Sequence, residues 1–174
     1  MYHLARHDPR VAGLVAVAAQ SPFHRGFPGP VGRKLRAGSV ILPALGWLSG
    51  HVPGQFFGAK GRIPADRIRD WARLAAAGVM QPARADLDYP AGLSRVTVPA
   101  LAVVIADDPL APASAARNLL AMLPSARTTL ELEPEALGHN SWARRPAEVV
   151  ARVLAWTDRE VVRPERDDDE VVDA

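Results

Sequence analysis

Two runs in the second half of the chain constrain its fold most, because each leads into a residue equipped for chemistry. Val98 through Ala106 is apolar throughout and passes directly into Asp107-Asp108-Pro109-Leu110-Ala111-Pro112. Arg127-Thr128-Thr129-Leu130-Glu131-Leu132 leads through a short loop into Leu137-Gly138-His139-Asn140. The first run reads as a strand buried on both faces, the second as its neighbour, with a helix from Pro112 to Met122 between them. Strands joined by a helix in this way are parallel, so Asp108 and His139, 31 positions apart, should emerge on one edge of the sheet. A carboxylate at one strand end and a histidine at the next is how a parallel α/β sheet assembles two members of a Ser-His-Asp triad. The third member is missing: no Gly-x-Ser-x-Gly occurs in the 174 residues.

Each residue also has a plainer reading. Asp107-Asp108-Pro109 is a good turn, and an acid there can cap the helix that follows. Asp107 competes with Asp108 for the acid's place, but Asp108 has the right offset from Ala111-Pro112. A lone histidine in a loop is usually a surface residue, although Gly138 lets the chain turn sharply enough to present the imidazole. The conjunction at successive strand ends favours the chemical reading over both alternatives.

The rest of the chain organises around these strands. Tyr2 to His7 reads as the end of a helix stopped by Asp8-Pro9. Val11 to Ala19 is a continuous apolar run suited to a third buried strand. About seventy residues then separate two strands of one sheet, far beyond an ordinary crossover, so residues 21–90 are predicted to be an inserted cap over the strand ends. Its first part, 21–58, is rich in Gly and Pro with scattered Phe and Trp, and no helix is assigned there. Ile63-Pro64-Ala65-Asp66 opens an amphipathic helix with Ile68, Trp71, Leu74 and Ala75 on one face. A last helix begins near Pro146, carrying Val149, Val150, Val153, Leu154 and Trp156 at helical spacing. The expected organisation is therefore one domain over residues 1–157 and a charged, disordered tail over 158–174.

Charge and composition exclude several function classes. The formal net charge is +2, with −5 from Asp158 onward and +7 in the remainder. The arginines behind that excess are scattered rather than striped, so no nucleic-acid partner is expected. No cysteine is present, which rules out disulfides, thiolate catalysis and Cys-based zinc sites within these residues. His3, His7, His24 and His51 lack metal-ligand spacing, and no metal or other cofactor is expected. Gly26 to Lys34 is not a phosphate loop, because Pro28 and Pro30 remove amide donors and no Ser or Thr follows Lys34. Ser141 lies close to His139, but its surroundings are not a strand-to-helix elbow. Ser39 to Leu48 is apolar yet too short to span a bilayer, which takes ~20 residues, so no stable membrane insertion is expected. With no signal-peptide pattern at Met1, the cytoplasm is the default location.

The order of these motifs resembles the second half of an α/β-hydrolase, over about residues 2–157. Arg6-His7-Asp8-Pro9-Arg10-Val11-Ala12-Gly13-Leu14-Val15 is similar to that family's passage from the post-nucleophile helix into its sixth strand. Asp108-Pro109-Leu110-Ala111-Pro112 resembles the acid motif and Gly138-His139 the histidine motif. Ile63-Pro64 with Trp71 is similar to the cap of a bacterial branch of predicted hydrolases. The resemblance implies a partial fold, a parallel sheet of about three strands flanked by helices with a mostly helical cap. It also implies hydrolysis of a carboxylic ester or related acyl bond of a small-molecule substrate, with Asp108 orienting His139 as general base and acid. The serine elbow would fall about ten to fifteen residues before His7-Asp8-Pro9, upstream of Met1. The expectation is thus a C-terminal portion, cut off by a misplaced start codon or gene damage and inactive alone. An open sheet edge then offers a route to homo-oligomers or aggregation. The rival is a non-catalytic module derived from the fold, its apolar insertion serving as a protein or lipid contact surface.

Overall fold

The computed structural model describes residues 1–57 and 60–162. A single helical turn, α1 (Tyr2–Ala5), precedes β1 (Leu14–Val17), which is shorter than the apolar run predicts. Pairing begins only where the Leu14 amide meets the Pro99 carbonyl, and it ends at Ala18, whose φ of 46° turns the chain away. The insertion follows. It holds α2 (Gly29–Ser49), a hairpin of β2 (His51–Pro53) and β3 (Arg62–Pro64), α3 (Ala65–Ala77) and the short α4 (Tyr89–Ser94). The chain then returns through β4 (Ala100–Ile105), α5 (Ala113–Leu120), β5 (Thr128–Glu133) and α6 (Ala147–Thr157).

The main sheet has the order β1-β4-β5, and both pairings are parallel. Central β4 is buried along all six residues. Its alternation divides the core, as a period of two requires. Ala100, Ala102 and Val104 pack with Leu4, Leu93, Ala116 and Leu120. Leu101, Val103 and Ile105 pack with Leu137, Val149 and Trp156. Full burial of each larger side chain is worth about 1.5–3 kcal/mol, so β4 is the strand that the helices on both faces share. The element order is the one that the motif order implies: strand, mostly helical insertion, strand ending in Asp108, helix, strand, His139 loop, helix.

One element has no counterpart in the sequence pattern and one boundary moves. The Gly- and Pro-rich stretch contains the longest helix in the described residues, α2. Pro30 sits in its first turn, where a missing amide hydrogen costs nothing. At Gly32 the Phe27 and His24 carbonyls leave no room for a Cβ, and at Gly46 a Cβ would press on Ala65 at 3.3 Å. The first five residues of the predicted tail are ordered. Residues Asp158–Val162 continue α6 as a π-helical turn, with Val161 on the Trp156 cluster and Glu160 3.6 Å from Arg127. The remainder of the predicted tail, 163–174, lies outside the described residues.

Candidate active site

Both sequence-predicted residues leave the same, C-terminal edge of the sheet, and the structure brings them together. β4 stays paired until the Ala106 amide meets the Glu133 carbonyl. Asp107 then takes a left-handed φ of 56°, a conformation that Asp tolerates better than most residues. That reversal leaves Asp107 exposed and turns Asp108 inward, its side chain fully buried. One carboxylate makes both the turn's hydrogen bond and the contact with the imidazole. Asp108 Oδ1 accepts the Leu110 amide at 2.9 Å, which shapes the turn towards α5. Asp108 Oδ2 lies 2.8 Å from His139 Nδ1.

His139 reaches that oxygen because its loop is anchored on both sides. Leu137 is buried in the core under β4, and Gly138, at φ 76°, makes the turn that a Cβ would strain. At the loop's start stands Glu133, the last residue of β5 and one beyond the run that ends at Leu132. It is 2% exposed, accepts the Glu135 amide at 3.0 Å and takes a charged hydrogen bond from Arg152 Nε at 3.1 Å. The Glu135 amide above all, helped by Arg152, holds its carboxyl below the usual range against the opposing effect of burial. Glu133 thereby ties the strand end to its loop and to α6. Its only sequence signal is an acid at the end of an otherwise half-apolar strand.

The imidazole is about one third exposed, and Nε2 has no hydrogen-bond partner among the described residues. A carboxylate on Nδ1 favours the proton there, which leaves the Nε2 lone pair facing outward. A second pair, His3 Nδ1 and Asp8 Oδ2 at 3.0 Å, shows that contact alone does not make such a site. It lies before β1, away from the strand ends, and Asp8 is occupied by Arg10, which drives its carboxyl well below the usual range. Ser141 opens a 3₁₀ turn rather than a strand-to-helix elbow, and no hydroxyl bonds His139 among the described residues. Among the described residues, no group of three or more His, Asp or Glu side chains converges to hold a metal.

No protein-family model and no curated protein matches the chain. Among solved structures, the esterase RhEst1 from Rhodococcus sp. ECU1013 is 19% identical, covering 91% of this chain and 60% of its own, with a TM-score of 0.41. Est816, described as an N-acyl homoserine lactone degrading enzyme, is 16% identical over 88% of this chain and 61% of its own, with a TM-score of 0.44. A hydrolase from Pseudomonas aeruginosa PA01 is 24% identical over 90% and 59%, with a TM-score of 0.39. The chain spans less than two thirds of the length of each of these structures.

Proposed function

We propose that Asp108 and His139 are the acid and base of an α/β-hydrolase site that cleaves a carboxylic ester or related acyl bond. The observation that carries this reading is the 2.8 Å contact between a fully buried carboxylate and an imidazole whose other nitrogen has no partner among the described residues. His139 Nε2 takes the proton of an attacking hydroxyl and returns it to the leaving oxygen as the acyl–oxygen bond breaks. Asp108 stabilises the imidazolium that forms between the two steps. The nucleophile is not among the described residues, so these residues alone are expected to leave activated esters intact.

The test is to express the chain with whatever in-frame coding sequence precedes Met1 and to assay p-nitrophenyl esters. The reading predicts a Gly-x-Ser-x-Gly upstream and ester hydrolysis. It also predicts that His139→Ala abolishes this activity and that Asp108→Asn lowers kcat by about 10⁴-fold through the wrong tautomer. A stop codon or frameshift in place of the elbow, or activity indifferent to His139→Ala, would overturn it.

A further inference from the structure

The side of α2 that faces solvent has no use in the chemistry above, and its make-up is unusual. At 3.6 residues per turn, Ser39, Leu42 and Gly46 form the inner arc, buried on α3 and the hairpin. The outer arc carries Arg33, Lys34 and Arg36 in its first half and Val40, Ile41, Trp47 and Leu48 in its second. Trp47 is 80%, Leu48 73% and Val40 71% exposed. No charged residue lies between Arg36 and Lys60. Beyond the helix, the exposed Phe56 stands on the turn after β2, and Lys60 and Arg62 flank the same hairpin end.

Charge decides what fits this surface. Between Asp8 and Asp66 the sequence contains no acidic residue, so every formal charge along α2 and the hairpin is positive. An apolar stripe with a tryptophan near its end and cations along the helix's first half matches an anionic bilayer surface. There the rings and aliphatic groups enter the headgroup boundary while Lys and Arg meet lipid phosphates. An isologous contact with a second copy would bring the same cations towards one another. No helix among the described residues is long and apolar enough to cross a membrane, so α2 would lie on the surface rather than span it.

We infer that the outer face of α2, with the Phe56 turn, docks this protein on anionic lipid surfaces. The inference stands apart from the Asp108–His139 pair.

The experiment is co-sedimentation of the whole chain with vesicles of phosphatidylglycerol and phosphatidylcholine in equal parts, and with phosphatidylcholine alone. Binding to the mixed vesicles is expected, about tenfold weaker on phosphatidylcholine and similarly weakened when salt rises from about 0.1 M to 1 M. Trp47→Ser with Leu48→Ser, and separately Lys34→Glu with Arg36→Glu, should each lower partitioning at least about tenfold. Circular dichroism checks that these exposed changes leave the fold intact. Trp47→Phe should still bind but lose the blue shift of tryptophan emission that vesicles produce. Three results would overturn the inference: no sedimentation with anionic vesicles, equal binding by both double variants, or a concentration-dependent dimer that Trp47→Ser with Leu48→Ser dissolves while no vesicles are bound.

Discussion

At the scale of single residues, Asp108 has two separable jobs, and removing it costs both. Asp108→Ala leaves the Leu110 amide without its acceptor and is expected to cost about 1–2 kcal/mol, read as a lower denaturant midpoint. Gly138→Ala meets nothing closer than Ser141 at 3.8 Å, so its penalty is the left-handed backbone alone, about 1–2 kcal/mol. The same substitution should weaken the His139 contact with Asp108, since the loop relaxes by moving the imidazole. The pairing of Asp108 with His139 was legible in the sequence because strand ends, a turn dipeptide and a glycine before a histidine are local signals. Glu133 was not. Its role exists only after the loop presents the Glu135 amide and α6 brings Arg152 across from 19 residues away.

At the scale of elements, the clamp formed by Glu133 gives the fold a defined acid sensitivity. Its folded pKa lies below the unfolded value, so its contribution is complete above the ordinary carboxylate range of about 4.3 and fades as pH falls through the folded value. Glu133→Gln should therefore flatten the acid side of a stability-versus-pH curve measured by thermal unfolding, while leaving the neutral side lower. α2 supplies a test in which propensity and packing predict opposite signs. Helix propensity favours Gly32→Ala by about 1 kcal/mol. A Cβ there would sit 2.4 Å from the Phe27 carbonyl oxygen and 2.7 Å from that of His24, so the structure predicts a lower melting temperature. This conflict is also why α2 could not be read from the sequence. Its glycines are contact points, invisible until the neighbouring chain is placed, whereas the amphipathic α3 and the buried β4 announce themselves by period alone.

At the scale of the whole molecule, the sheet is open where β1 faces away from β4. Val15 on that strand is partly exposed, and β1 has no second neighbour among the described residues. An unpaired apolar edge invites strand addition, so Val15→Lys should reduce any concentration-dependent association seen by sedimentation velocity. The sheet converts a separation of 31 residues into one hydrogen bond, because β4 and β5 run parallel in direct register and end together. The most direct test of the central claim is the nitrogen-edited NMR spectrum of the His139 imidazole at alkaline pH. A neutral ring with its proton on Nδ1, shifted downfield by a hydrogen bond that Asp108→Ala abolishes, is the predicted result. A proton on Nε2, or a spectrum that Asp108→Ala leaves unchanged, would contradict the account.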